Sequence, residues 1–156
     1  MAIRLQKATL DDAEEIHAMQ LRAFKPLLAK YQDLDTNPGN EGIERVVARI
    51  LQPSTDFYLI KDGSHSVGAI RVVRLQGGDR CRVSPIFILP EYQNRGIAQH
   101  VFAEMERRYT PAHGWELDTI LEEAGNCHLY EKVGYRKTGR LQKMNDRMTL
   151  VFYEKP

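Results

Sequence analysis

The chain has 156 residues, of which 22 are Lys or Arg and 21 are Asp or Glu, so its formal net charge is +1. This length predicts one compact domain, residues 1–156, and the balanced charge gives no general attraction to nucleic acid or to an anionic membrane surface. No apolar run is as long as a membrane span and no signal-peptide pattern opens the chain, so we expect a cytoplasmic protein.

The first third of the chain predicts one short strand and two helices. Thr9 is a plausible cap for the first helix, and Pro26 is expected to interrupt that helix after Phe24. The second helix carries apolar residues at helical spacing, which is typical of a helix packed on a core. The predicted segments are a strand at residues 3–5, a helix from 9 to about 24, a polar irregular stretch at 30–40 and a helix at 43–51.

From residue 57 the pattern changes to that of strands, beginning with a meander of three. Asp62-Gly63 and Gly77-Gly78-Asp79 are turn signals between its members. A helix follows the third strand, which predicts that the next strand runs parallel to it. The predicted segments are strands at 57–60, 67–75, 80–89 and 115–121, a helix from near 96 to 109, a helix from 125 to 133, and a final antiparallel pair at 135–141 and 148–153.

This order of elements predicts a mixed α+β sheet that is neither a doubly wound nucleotide-binding fold nor a barrel. The apolar last strand, 148–153, either completes the sheet or pairs across a dimer, and we expect the former. A monomer and a homodimer both remain open.

Cysteine and histidine usage predicts neither disulfides nor a metal. Cys81 and Cys127 are too few for a disulfide framework, and we expect both to be reduced and structural. The histidines show no metal-ligand spacing with these cysteines.

Residues 83–98 predict a buried strand that leads into an anion-binding helix start. Val83 and the run from Ile86 to Leu89 are apolar without strict alternation, as expected of a central strand covered on both faces, and Pro90 ends it. A helix that begins near Gly96 presents free main-chain N–H groups and the positive end of its dipole, which suits a phosphate. An ordinary strand-to-helix turn would have the same pattern.

Two segments resemble signatures of the GNAT acetyltransferase superfamily. Gln93, Gly96 and Ala98 match its pyrophosphate loop, Gln/Arg-x-x-Gly-x-Gly/Ala, and residues 126–135 look like its Asn-x-x-x-Tyr-x-x-x-Gly-Phe/Tyr segment. The resemblance implies a GNAT-like, mostly antiparallel sheet with helices on both faces and a splayed central parallel strand pair. It also implies an N-acetyltransferase that uses acetyl-coenzyme A and no metal.

The resemblance further implies which residues contact coenzyme A. Tyr130 would protonate the departing thiolate as general acid, and Asn126 would hydrogen-bond the coenzyme. From the residues alone, Asn126 is equally suited to a helix cap and Tyr130 to a packed aromatic. The other implied contacts are the main chain of Ile86, Phe87 and Ile88 for the pantetheine arm, aided by a bulge in that strand, and the amides of Gln93, Asn94, Arg95, Gly96, Ile97 and Ala98 for the pyrophosphate, with added charge from Arg95.

The acceptor side is predicted more coarsely. An activated thioester needs no protein nucleophile, so an amine attacks directly once both substrates are aligned in a ternary complex. The amine must first lose a proton, since an alkyl ammonium has a pKa of ~10. Candidate acceptor residues are the strand carboxylates Glu116 and Asp118, and Tyr31, Asp33, Asp35 and Glu41 around the polar stretch, although each of these carboxylates also fits a solvated surface position.

We therefore predict acetyl transfer from acetyl-coenzyme A to a primary amine of a small molecule, without a nucleic-acid or membrane partner. The alternatives are acetylation of a protein N-terminus or lysine, an inactive coenzyme A-binding sensor, and an interaction domain without a ligand.

Overall fold

The computed structural model describes residues 2–33 and 37–156, and within them seven strands form one sheet. The strands are β1 (Ile3–Lys7), β2 (Thr55–Asp62), β3 (His65–Leu75), β4 (Arg80–Ile88), β5 (Trp115–Ile120), β6 (Arg136–Lys143) and β7 (Thr149–Lys155). The four α-helices of the same residues are α1 (Ala13–Tyr31), α2 (Ile43–Leu51), α3 (Ile97–Arg108) and α4 (Ala124–Lys132).

The strand order is β1-β2-β3-β4-β5-β7-β6. Every neighbouring pair is antiparallel except β4 and β5, which are parallel because α3 connects them. The predicted mixed, mostly antiparallel sheet is therefore confirmed. The last strand, β7, lies between β5 and β6 and completes the sheet, as expected.

Alternation along the central strands places a core on each face of the sheet. In β2, Phe57 and Leu59 pack with α1 and α2, while Tyr58 and Ile60 pack with α3 and α4. All four side chains are buried. Helices on both faces are confirmed, and a central strand covered on both sides explains the apolar runs in the sequence.

The first helix does not stop at Pro26, as the sequence predicted, but continues to Tyr31. Pro26 lacks only the N–H that would reach the carbonyl of Arg22, and the turns on either side of it persist. The turn after the proline is held by tertiary contacts that a local rule cannot see. Tyr31 is buried, and the main-chain N–H of Gln32, in the left-handed conformation, closes the helix on the carbonyl of Leu28 at 2.8 Å.

The parallel pair is short. β4 and β5 are in register only at Cys81 with Trp115 and at Arg82 with Glu116. Past this point β4 carries one extra residue relative to β3, so that Ser84 and Pro85 lie opposite Arg71 alone. The predicted bulge and the predicted splay of the central parallel strands are both present.

Candidate active site

The main chain of β4 offers unpaired groups to the gap between β4 and β5. The N–H of Leu89 donates to the carbonyl of Val67 in β3 at 2.8 Å, and the Phe87 carbonyl also lies against β3. Because main-chain groups alternate along a strand, those of Ile86 and Ile88 point the other way, into the gap. The main chain of Phe87 therefore faces β3 and not the gap, contrary to the expectation from sequence.

A first cavity of about 420 Å³ lies between the end of β4, the start of α3 and one face of α4. Every predicted cofactor residue except Arg95 lines it. The guanidinium of Arg95 instead lies 5.5 Å from the centre of the Tyr92 ring, and Tyr92 itself lines the cavity. The lining comprises Ala23, Phe24, Leu27, Ile86, Phe87, Ile88, Tyr92, Gln93, Asn94, Gly96, Ile97, Ala98, Gln99, Gly125, Asn126, His128, Leu129, Tyr130 and Lys132.

The start of α3 is suited to an anion. Within the described part of the chain, the main-chain N–H groups of residues 94–99 have no protein acceptor, and the first helical bond runs from His100 to the carbonyl of Gly96 at 3.1 Å. Gly96 has φ +78, and a Cβ there would meet no protein atom within 4 Å, so the space above these amides is open. Oriented N–H groups and the helix dipole together attract negative charge.

Gln93 has a different local role from the residues after it. Its main-chain N–H donates to the carbonyl of Pro90 at 3.3 Å, so this amide is already engaged. Its side-chain Nε2 donates to the carbonyl of Ile88 at 3.0 Å. Gln93 thus links the loop before α3 to the end of β4, at one wall of the first cavity.

A second cavity of about 360 Å³ lies beside the first, and Phe24, Leu27, Ile86, Asn126 and Tyr130 line both. The two cavities therefore meet at Asn126 and Tyr130. The rest of the second cavity is lined by Asp33, Asn37, Pro38, Glu41, Arg49, Val83, Ser84, Pro85, Leu117, Asp118, Thr119, Ile120, Gln142, Met144, Met148 and Leu150.

Helix α4 brings Asn126 and Tyr130 to this junction. They are one turn apart on the same helix face, and Glu123 occupies the N-cap position, so Asn126 is not the cap. The Tyr130 ring packs edge-on against Phe102 and Tyr153 and is 8% exposed.

The environment of Tyr130 keeps its hydroxyl protonated. Burial raises the pKa of Tyr130 well above its usual range, and the nearby Asp118 and Cys127 raise it further because a second negative charge there is unfavourable. The residue therefore holds a proton at neutral pH, as a general acid must.

Two carboxylates of the second cavity, Glu41 and Asp118, are paired with arginines. Arg49 donates to both oxygens of Glu41, at 2.7 Å and 2.6 Å, and Arg82 donates to Asp118 at 2.5 Å. Burial alone would raise the pKa of Glu41, but the hydrogen bonds and charge of Arg49, with a bond from Gln20, hold it below its usual range. Glu41 is therefore an ionised structural anion and is poorly suited to accept a proton.

Several candidate acceptor residues lie elsewhere. Glu116 lines neither cavity and instead accepts from Arg80 at 2.6 Å and from Arg82 at 3.2 Å. Tyr31 is buried outside both linings, and Asp35 lies outside the described residues. Of the original candidates, Asp33, Glu41 and Asp118 line the second cavity.

The sequence did not identify one wall of the second cavity. Gln142, Met144 and Met148 reach it from the hairpin of β6 and β7, and Arg49 reaches it from α2. These contacts join segments that are far apart in the chain, and none has a local signal that points to a binding site. Only the sheet order, which inserts β7 beside β5, brings the hairpin to the gap.

Among the residues that the structure describes, no group of three or more His, Cys, Asp or Glu side chains could hold a metal ion. Within residues 2–33 and 37–156, none of the helices has the length and apolar character needed to cross a bilayer.

Comparison with known proteins gives a family and a fold. A family model described as an acetyltransferase (GNAT) domain matches residues 31–155, whereas no curated protein sequence matches the chain. Spermidine N-acetyltransferase of Vibrio cholerae, solved with CoA and spermine, is 17% identical with a TM-score of 0.73, covering 97% of this chain and 94% of its own.

Two further solved structures are similar over nearly their whole length. The ribosomal-protein-alanine N-acetyltransferase of Escherichia coli is 15% identical with a TM-score of 0.73, covering 99% of this chain and 93% of its own. The PaiA N-acetyltransferase of Thermoplasma acidophilum, solved with coenzyme A, is 14% identical with a TM-score of 0.74, covering 97% and 98%. At these identities the likeness concerns the fold alone.

Proposed function

The chain belongs to the GNAT acetyltransferase family, and from that premise we propose that it transfers an acetyl group from acetyl-coenzyme A to a primary amine of a small molecule. The observation that carries the proposal is the gap between β4 and β5, which opens onto two cavities that meet at Asn126 and Tyr130. Two substrates can thus approach each other from opposite sides of one proton donor.

The first cavity fits coenzyme A. The gap-facing main chain of Ile86 and Ile88 supports binding of the amide-containing pantetheine arm, in the manner of an added strand. The unpaired N–H groups of residues 94–99 support binding of the pyrophosphate. The side chain of Asn126 is within the cavity and can hydrogen-bond the arm near its sulfur end. When bound, the coenzyme supplies an acetyl group that is already activated as a thioester.

The protein's part in the reaction is then to align the acceptor and to supply a proton. The second cavity holds the amine against the junction, which replaces a bimolecular encounter by an oriented one. Tyr130 keeps its hydroxyl proton because it is buried, and it donates that proton to the leaving sulfur.

The size and enclosure of the second cavity favour a small molecule over a protein chain. Its volume of about 360 Å³ lies within the range of small-molecule pockets. The end of α1 is joined to the hairpin of β6 and β7 by a hydrogen bond from Asn145 Nδ2 to the Tyr31 carbonyl at 2.9 Å, and to the start of α4 by the ion pair of Lys30 and Glu123. These contacts narrow the approach that an extended polypeptide would need.

The experiment is thiol release from acetyl-coenzyme A with a panel of small primary amines, and with peptides that present a free N-terminus or a lysine. We expect turnover with small amines that exceeds turnover with peptides. Faster turnover with peptides would show that the acceptor is a protein N-terminus or lysine. If calorimetry shows that acetyl-coenzyme A binds but no amine is acetylated, the result would favour a sensor. Absence of binding would overturn the proposal.

A further inference from the structure

Three arginines converge on a groove outside the two cavities described above. The groove, about 510 Å³ and open to solvent, lies between α2 and β3. Its lining among the described residues consists of Arg45, Ala48, Arg49, Leu51, Gln52 and Arg71.

Among the described residues, only one carboxylate, Glu41, forms an ion pair with any of these three cations. Glu41 is bound through both oxygens by Arg49 and lies 3.8 Å from a guanidinium nitrogen of Arg45. No carboxylate in the described part of the chain pairs with Arg71. The nearby Arg82 is itself occupied by Glu116 and Asp118.

The partners of Arg71 are neutral. Its Nε donates to the carbonyl of Ser84 at 2.5 Å, and its Nη1 donates to Oε1 of Gln52 at 3.1 Å. These bonds fix the guanidinium against the bulge of β4 but leave its charge uncompensated. A half-buried guanidinium does not lose its charge at neutral pH, so an anion bound against it would lower its free energy.

The electrostatic environment agrees with this geometry. Burial and then the positive charges of Arg49 and Arg82 lower the pKa of Arg71 to about 10, while Glu41 opposes the shift. Repulsion among guanidinium groups outweighs the single counter-charge within reach. An oxyanion accepts hydrogen bonds from a guanidinium in a planar, bidentate geometry and would relieve this repulsion.

We propose that this groove binds an oxyanion, a phosphate or carboxylate group, between Arg71, Arg49 and Arg45. The site adjoins the second cavity, because Arg49 lines both and because Ser84, which fixes Arg71, lines the second cavity. The oxyanion is either part of the amine acceptor, which rests on the proposed function, or a separate ligand. Both sources share the same recognition chemistry.

The first experiment measures binding of inorganic phosphate without any reference to activity. The temperature of thermal unfolding is measured at increasing phosphate concentration. Chloride is lowered in step, so that the ionic strength stays constant. We expect stabilisation of the wild-type protein, and an apparent affinity about tenfold or more lower in Arg71→Gln, the loss of one charge-assisted hydrogen bond. Arg45→Gln is a second variant, which keeps the test valid if Arg71→Gln does not fold. The Arg45 side chain is 65% exposed, so its replacement should leave the fold intact and still weaken phosphate binding.

The matched control is Arg140→Gln, which removes the same charge from the exposed edge strand β6 and should leave the phosphate response unchanged. Phosphate that stabilises no more than chloride would overturn the proposal. A response that is equal in the wild type, Arg71→Gln and Arg45→Gln would overturn it as well.

The second experiment separates the two sources by comparing amine acceptors that differ only in an anionic group, such as phosphoethanolamine with ethanolamine, or an amino acid with its amide. If the oxyanion belongs to the acceptor, the anionic member has the higher kcat/KM, and Arg71→Gln abolishes the difference. If it is a separate ligand, the paired acceptors react alike while phosphate still binds. Failure of every amine to react would count against the proposed function, but the phosphate titration would still decide the anion site.

Discussion

Arg82 of β4 and Glu116 of β5 form the last register pair of the two parallel strands, and their side chains are joined by a hydrogen bond of 3.2 Å. Just past Arg82 and Val83, the bulge at Ser84 and Pro85 changes the course of β4, while β5 continues to pair with β7. The gap is thus built by the protein, through a bulge on one strand and full pairing of the other.

Replacement of Tyr130 by Phe tests the proton donor at the junction of the two cavities. We expect Tyr130→Phe to lower kcat by about 100-fold or more, the usual contribution of a general acid, and to change coenzyme affinity little because the ring and its packing remain. Steady-state kinetics and calorimetric titration with acetyl-coenzyme A measure the two effects. Tyr135→Phe, at a tyrosine that is also buried but lines neither cavity, is the matched control. Unchanged turnover in Tyr130→Phe would remove the residue from this role.

The pH dependence of turnover gives a second test of Tyr130. Because burial raises the pKa of Tyr130, its protonated, active form extends to higher pH than that of an ordinary tyrosine, whose pKa is about 10. We therefore expect no fall in kcat from this residue up to about pH 10. The measurement is kcat against pH for the wild type and Tyr130→Phe at saturating substrates. An alkaline fall that begins near neutral pH in the wild type and is absent in the variant would contradict the assignment.

Much of the fold follows from local patterns. The bulge and the splay were anticipated from the resemblance, and the bulge includes Pro85, which cannot donate in a regular central strand. The start of α3 was anticipated from Gly96, whose positive φ and open surroundings match its predicted role. In these places one or two residues determine the main-chain conformation, so a short window of sequence is sufficient.

The remaining features depend on contacts between distant segments. Helix α1 continues beyond Pro26 because Tyr31 is buried and because the side chain of Asn145, far along the chain, donates a hydrogen bond to the Tyr31 carbonyl. Glu41 was predicted to face the acceptor, but whether it acts as a base depends on Arg49, which no local rule pairs with it. The direction of the Phe87 main chain depends on its register with β3. Each requires the assembled sheet before it can be inferred.

Substitution of Gly96 tests the proposed pyrophosphate site. Gly96→Ala and Gly77→Ala each place a Cβ at a positive φ, of +78 and +68, with no protein atom within 4 Å. Both should lose about 1 kcal/mol of stability from backbone strain. Only Gly96→Ala adds a methyl group beside the free amides of α3, so we expect only this variant to bind coenzyme A more weakly, by about tenfold. Denaturant unfolding and calorimetry measure the two quantities. Equal coenzyme affinity in both variants would exclude binding at this helix start.

Removal of the Glu41 charge tests its assignment as a structural anion. The pKa of Glu41 is lower in the folded protein than in the unfolded chain, so its stabilisation is present above the unfolded pKa and is lost as pH falls through the folded pKa. Glu41→Gln should therefore lower the free energy of unfolding by about 2 kcal/mol at neutral pH, because the hydrogen bonds from Arg49 to a neutral amide are weaker. The loss should be smaller in acid, where Glu41 of the wild type is itself protonated. Urea unfolding at several pH values measures this, with Glu14→Gln on the exposed start of α1 as control. A variant that loses the same free energy at every pH would show that charge is not the cause.

Gly68 allows the contact between β3 and β4 to be tested directly. A Cβ on Gly68 would overlap the carbonyl oxygen of Phe87 and the adjoining main chain, which cannot move without shifting β4. Gly68→Ala should therefore cost about 2 kcal/mol of stability and also weaken coenzyme binding, because Ile86 and Ile88 move with the strand.

Gly63→Ala, in the turn before β3, is the control: its Cβ meets no atom within 4 Å, and the only cost is a positive φ of +61. It should lose stability and keep coenzyme affinity. If Gly68→Ala is destabilised but binds coenzyme A as tightly as Gly63→Ala, the position of the β4 main chain does not matter for binding, and its proposed role as a strand-like partner of the pantetheine arm is wrong.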